Sequence, residues 1–202
     1  MAPSRRAVLA GLLAAVAVTP AGAQTPPAAR LRGTITARDR DRLTLTTRGG
    51  EEVKVVLLAD TSVTAIVPAS LDSIAKGSFI GTAAMPGPNG TLVAIEVHVF
   101  PEAMRGTGEG HRPFDLQPES TMTNGTVGDV VVASGRTLTV EYKGGQKTVT
   151  VPPETPIVSF EPATPELLTA GAHVILFGSK QDDGSVAAAR ILVGKDGVVP
   201  PM

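Results

Sequence analysis

Glu96 and His98 stand two residues apart in the run Val93-Ala-Ile-Glu-Val-His-Val-Phe100. Side chains two apart in a strand share a face, so Val93, Ile95, Val97 and Val99 are expected on one side, with Ala94, Glu96, His98 and Phe100 on the other. A carboxylate beside an imidazole suits a divalent metal of the zinc or copper class, with His111 as a third donor and Glu102, Glu109 or Asp115 as helpers. Met104 and Met122 would add soft ligands for copper(I). The competing reading sets Glu96 and His98 on a solvated strand face, or pairs Glu96 with Arg105 or Arg112. The chain's three histidines have no close His-x-His or His-x3-His spacing, and His173 is expected to be structural.

The segment after that strand is chemically unlike a linker. Linkers are usually rich in Gly and Ser or in Pro, whereas Arg105, Glu109, His111, Arg112 and Asp115 gather here around Phe114. Those six residues are the expected binding surface if the segment folds back onto the rest of the chain. The alternative is that it only fixes the orientation of what it joins. Gly106-Thr-Gly-Glu-Gly110 has a nucleotide-loop look, but His111-Arg-Pro113 after it cannot open the helix such a loop requires. Hydrolase, zinc-protease, phosphate-loop and EF-hand signatures are absent, and no nucleophile pairs with a base. No catalytic residue and no bound cofactor are expected, a divalent metal being the one candidate.

The elements that must position these residues come from a duplication. Thr61 to Phe100 lies over Thr155 to Gly194 at a constant shift, with Pro68-Ala69 on Pro162-Ala163, Gly77 on Gly171, Gly90 on Gly184 and Ala94 on Ala188. Upstream, Gly33-Thr34-Ile35 matches Gly125-Thr126-Val127, Leu43-Thr44 matches Leu138-Thr139, and Gly49-Gly50 matches Gly144-Gly145. In the first copy, alternation predicts strands over Leu31–Ala37, Leu43–Arg48, Glu51–Leu58, Ser78–Ala84 and Thr91–Phe100. A short helix is expected before the fourth strand, from Ser70 as N-cap to Gly77, and in the second copy from Thr164 through Pro165 and Glu166 to Gly171. Asn89-Gly90 and Asp183-Gly184 mark the last hairpins. The fold class is therefore all-β, expected as two tandem five-stranded OB-like barrels, each with one short helix between strands 3 and 4. An open sheet would give the same order of elements. In the second copy Arg190 and Leu192 replace Glu96 and His98, so the module itself does not need that pair.

The run from Glu96 to Leu116, followed by Pro118-Glu-Ser-Thr-Met-Thr-Asn124, resembles a family of exported bacterial proteins of unknown function built from tandem OB-like domains. The resemblance extends from about Leu31 to the end of the chain. Relatives of this kind are sometimes labelled as the permease of a metal ABC transporter, a label that needs several spanning helices. The resemblance implies fold and location, and carries over no catalytic residue.

Location is also written at the start. Arg5-Arg6, the apolar run Val8–Val18 and the small residues Ala21-Gly22-Ala23 form an export signal over residues 1–23, by the ordinary or the twin-arginine route. The expected layout is then a tether at 24–30, a first domain at 31–101, a connector at 102–122, a second domain at 123–194 and a tail at 195–202. Without Arg5 and Arg6 the chain's 18 Lys+Arg fall to 16 against 19 Asp+Glu, and its aromatics are five Phe and one Tyr. That acidic balance and sparse stacking surface exclude nucleic acid as partner, and no segment after the signal is long enough to span a membrane. The absence of Cys excludes disulfides and thiolate chemistry. The leading expectation is a non-enzymatic periplasmic binding or protein-interaction module, whose partner is a periplasmic protein or small ligand. A metal-binding accessory protein of the zinc or copper class is the alternative, and an enzyme stands third.

Overall fold

Alternation of apolar and polar residues produces twelve strands and no helix longer than one 3-10 turn in the computed structural model, which describes residues 28–132 and 136–202. The export signal and the start of the tether lie outside the described residues. The first repeat forms β1 (Ala28–Asp39), β2 (Arg42–Thr47), β3 (Glu52–Pro68), β4 (Phe79–Pro86) and β5 (Leu92–Val99). The connector contributes β6 (Gly110–Pro113), and the second repeat forms β7 (Thr121–Val132), β8 (Arg136–Tyr142), β9 (Gly145–Val151), β10 (Ile157–Pro162), β11 (His173–Lys180) and β12 (Val186–Gly194). Ala28–Arg30, expected in the tether, already belong to β1 and pair with β11. The expected helices are single 3-10 turns, Leu71–Ser73 and Pro165–Leu167, without a side-chain cap at Ser70 or Thr164. Gly77 and Gly171 nonetheless take the positive φ, 88° in both, that the end of each turn requires.

The strands close into a five-stranded barrel, but its members come from both repeats. β1 pairs β2, β2 pairs β3, β3 pairs β12 in parallel, β12 pairs β11, and β11 returns to β1. A second circuit of pairings joins five more: β7 with β8, β8 with β9, β9 with β5 in parallel, β5 with β4, and β4 with β7. The arrangement therefore differs from the expected tandem one. Each circuit takes three strands from one repeat and the closing hairpin from the other.

The cause is visible in β3. Its 17 residues run on past the barrel to Pro68 and carry the chain out of it before β4 begins. In the second repeat the equivalent path is interrupted at Pro152-Pro153, which supply no backbone N–H to a ladder, and it resumes as β10. The extended end of β3 pairs antiparallel with β10, in a register that sets Ile66 opposite Phe160. Those two are equivalent positions of the repeat, so the pairing is symmetric about them and marks a pseudo-twofold axis.

Three apolar clusters follow. Ile35, Leu45, Val55, Leu176 and Ile191 fill the first circuit, and Ile80, Val97, Leu138, Val140 and Val149 the second. The third lies between the circuits, where Ile66, Phe160, Phe79, Phe100, Ile175 and Leu192 pack with Met202. The outward faces of both circuits meet there, and the candidate residues lie on them.

Candidate functional site

Two equivalent patches of sheet face each other across the pseudo-twofold axis, and they have diverged. In the second circuit, His98, Gly81 and Asn124 lie side by side on β5, β4 and β7, with Glu96, Ala83 and Met122 in the row two residues away. In the first circuit the corresponding rows are Leu192, Ile175 and Arg32, and Arg190, Phe177 and Arg30. One patch thus holds a carboxyl group and an imidazole where the other holds arginine and aliphatic side chains.

A β-bulge sets the first patch. Register slips between Ala83 and Ala84 opposite Glu96 and Ala94, so the inward face of β5 runs Leu92, Ala94, Val97 and Val99. Strict alternation, which put Val93 and Ile95 with Val97 and Val99, fails at this point because the bulge inserts one unpaired residue. Beyond it Glu96 and His98 point away from the barrel interior, yet neither is solvated: Glu96 is fully buried and His98 is 3% exposed. The Ala83 N–H donates to Glu96 Oε1 at 2.9 Å, and His98 Nδ1 lies 3.2 Å from both carboxyl oxygens. Nδ1 is thus engaged by the carboxyl group, and Nε2 is the ring nitrogen presented elsewhere.

Nε2 lies over Gly81. A Cβ on Gly81 would overlap it and stand 2.6 Å from Asn124 Oδ1. Asn124 is itself 4% exposed, its Nδ2 donates to Thr107 O at 2.9 Å, and its Oδ1 is a buried acceptor with no partner. The ring of His98 is held edge-on by Phe100 and Phe160, at centroid distances of 4.8 and 5.6 Å. Glycine at position 81 is the condition for this packing. Its repeat counterpart Ile175 fills the same space with its own side chain, and there no imidazole is present.

Between the patches is a cavity of about 190 Å³. His98, Met122 and Asn124 form one wall, and Ile175, Phe177, Leu192 and Arg190 the other, with Arg30 and Arg32 beside them. The connector covers it with Met104, Thr107, Gly108, Arg112 and Phe114. β6 pairs antiparallel with β7, which ties that cover to the sheet. Arg30 and Arg32 bond Asp115 at 2.9 and 2.8 Å, and both guanidinium groups lie over the Phe114 ring. These pairs hold the Asp115 carboxyl down at about 2, the Arg32 hydrogen bond contributing most. Arg190 lies 4.3 Å from the Phe177 ring centroid and has no ion pair among the described residues. Burial, and then the neighbouring Arg30 charge, lower its pKa.

The sequence-selected residues divide accordingly. Glu96 and His98 are together, but His111 is not with them. It pairs with Thr123, whose side chain is on the opposite face of β7 from Asn124 and Met122, and its Nδ1 bonds Thr123 Oγ1 at 2.9 Å. Burial and Lys147 lower its pKa. The structure therefore does not bring the expected trio of Glu96, His98 and His111 together, and among the described residues no three His, Asp or Glu side chains form a group that could hold a metal. Of the expected binding surface, Arg112 and Phe114 line the cavity. Arg105 instead bonds Glu102 and Gly77 O, Glu109 accepts from the Lys143 N–H, and Asp115 bonds the arginines from outside. Arg30 and Arg32 are not among the residues selected from the sequence, where Arg190 figures only as the replacement of Glu96. Their signal was spacing, since Arg30 and Arg32 share a strand face and Arg190 replaces Glu96.

No family model matches the chain, and no curated protein or solved structure matches it significantly. The site must therefore be read from its own chemistry.

Proposed function

We propose that the protein is a non-enzymatic ligand-binding protein of the periplasm and that its ligand occupies the cavity between the two strand circuits. One observation carries this reading: the repeats diverge in chemistry where they face each other, and between them is a cavity with an unpartnered buried acceptor, Asn124 Oδ1. The periplasmic location rests on the Arg5-Arg6 signal pattern. Among the described residues no helix is long and apolar enough to cross a membrane. In this reading each circuit is an OB-like barrel with its last hairpin exchanged between the repeats, and the cavity belongs to neither repeat alone.

The test is a fragment screen by ligand-observed NMR on the signal-free protein and on Met104→Trp. Met104 is only partly buried and sits on the connector, so the larger side chain fills the cavity without entering either barrel. Fragments bound by the wild type and lost in a variant with unchanged melting temperature are the expected result. No bound fragment, or binding indifferent to the filling, would overturn the reading.

A soft metal is the second reading, because Met104, Met122 and Met202 line the same cavity as His98. An imidazole whose other nitrogen is held by a carboxyl group is the arrangement of a metal-ligating histidine. Competition for copper(I) against bicinchoninate, with wild type and His98→Ala, tests it. Withdrawal of copper by the wild type alone supports the metal, and no withdrawal excludes it.

A further inference from the structure

Within that reading, on which this inference rests, the geometry points to a small organic anion with an apolar body and a hydrogen-bond donor at the end opposite its charge. The walls supply each requirement separately. Arg190 is partly buried, flanked by Arg30 and without an anion among the described residues. A guanidinium stacked on an aromatic ring keeps its in-plane N–H groups free for an oxyanion, and Arg190 is so placed over Phe177. Arg112 reaches the cavity from the connector on the Asn124 side, its Nη1 donating to Gly108 O at 2.7 Å. Phe100, Phe160 and Leu192 supply the apolar floor between the Arg190 end and the other.

At the far wall the polarity reverses. Asn124 cannot turn its amide to offer a donor, because Nδ2 is committed to Thr107 O, and its buried Oδ1 therefore awaits an N–H or O–H. His98 Nε2 lies beside it, the other ring nitrogen being held by Glu96. A cation is disfavoured by Arg112 and Arg190, which line the cavity without an ion pair among the described residues. A purely apolar ligand would leave both the Asn124 oxygen and Arg190 without partners.

Calorimetry with four probes of one size tests this on the signal-free protein: 4-hydroxybenzoate, benzoate, 4-cresol and 4-hydroxybenzylamine. The expected order places 4-hydroxybenzoate first, with loss of either the carboxylate or the hydroxyl weakening binding about tenfold. Arg190→Met should weaken 4-hydroxybenzoate by about tenfold and leave 4-cresol unchanged. Arg190→Gln provides a second reading of the same charge should Arg190→Met fail to fold. Equal or tighter binding of 4-cresol or the amine, or indifference of 4-hydroxybenzoate to the arginine changes, overturns the inference. If fragments that depend on Met104 still bind while none of the anions does, the ligand class is wrong and the binding reading stands. If nothing binds, both fall.

Discussion

The Glu96 carboxyl group has no solvent around it, so its hydrogen bonds must all come from the protein. The bulge in β5 frees the Ala83 N–H to serve it, and His98 Nδ1 is its second partner. Glu96→Ala strands both, and a buried polar group left without a partner costs about 1–3 kcal/mol. Urea unfolding should show a loss of at least about 2 kcal/mol for Glu96→Ala, and a smaller one for Glu96→Gln, which keeps an acceptor oxygen. Equal losses would mean that the carboxyl group acts only by filling space. Asp115 offers a weaker and pH-dependent contribution. Its folded pKa is about 2, below the ordinary 3.8, so its stabilisation is present above about pH 4 and is lost as pH falls toward 2. Its side chain is 56% exposed, which limits the effect to under about 1 kcal/mol. The melting temperatures of wild type and Asp115→Asn should differ at pH 7 and converge as pH falls to 2. The Glu96–His98 adjacency could be read from the sequence, because a strand was certain there and two residues on it share a face. Their burial could not, since it depends on a bulge and a connector whose positions no local pattern encodes.

Gly81 shows how one strand position selects between two kinds of site. With glycine, β4 leaves room for the imidazole of His98; with isoleucine, as at position 175, β11 fills that room itself. Gly81→Ala sets a Cβ against the ring and against Asn124 Oδ1, and overpacking of this kind costs about 1–3 kcal/mol. The loss should shrink by at least about 1 kcal/mol in a His98→Ala background, because the clash and its target disappear together. Additive losses in that double-mutant cycle would show that Gly81 is constrained by the β4 backbone and not by the ring. At this scale the sequence is legible in the hairpins and strand spans, where Gly, Asn and alternating side chains act locally. It is less so at Ser70 and Thr164. Cap, proline and acidic residue are all in place at 164–166, yet a single 3-10 turn suffices to connect the strands and no longer helix forms.

The exchange of hairpins between repeats is where sequence reading stops. Both repeats direct the same kinds of residue inward, Ala94, Val97 and Val99 in one and Ala188, Ile191 and Val193 in the other, so either hairpin satisfies either barrel. What decides is the path of β3, which continues to Pro68 and pairs with β10 around Ile66 and Phe160 instead of turning back. Gly77 and Gly171 complete the crossing, since the Gly77 N–H donates to Val127 O and the Gly171 N–H to Ile35 O, each in the other repeat. A protease site introduced at Pro118-Glu119, in an exposed turn between β6 and β7, tests this topology directly. Barrels in tandem would separate once the joint is cut, because only the contacts of the third cluster hold them. Exchanged hairpins leave each fragment threaded into both barrels, and release requires the ladders of β12 with β3 and β11 with β1 in one circuit, and of β5 with β9 and β4 with β7 in the other, to break at once. The cut protein should therefore elute from a sizing column as one species of unchanged volume, and divide into two fragments only in denaturant. Separation under native conditions would return the fold to two independent barrels, and with it the cavity to a chance gap between them.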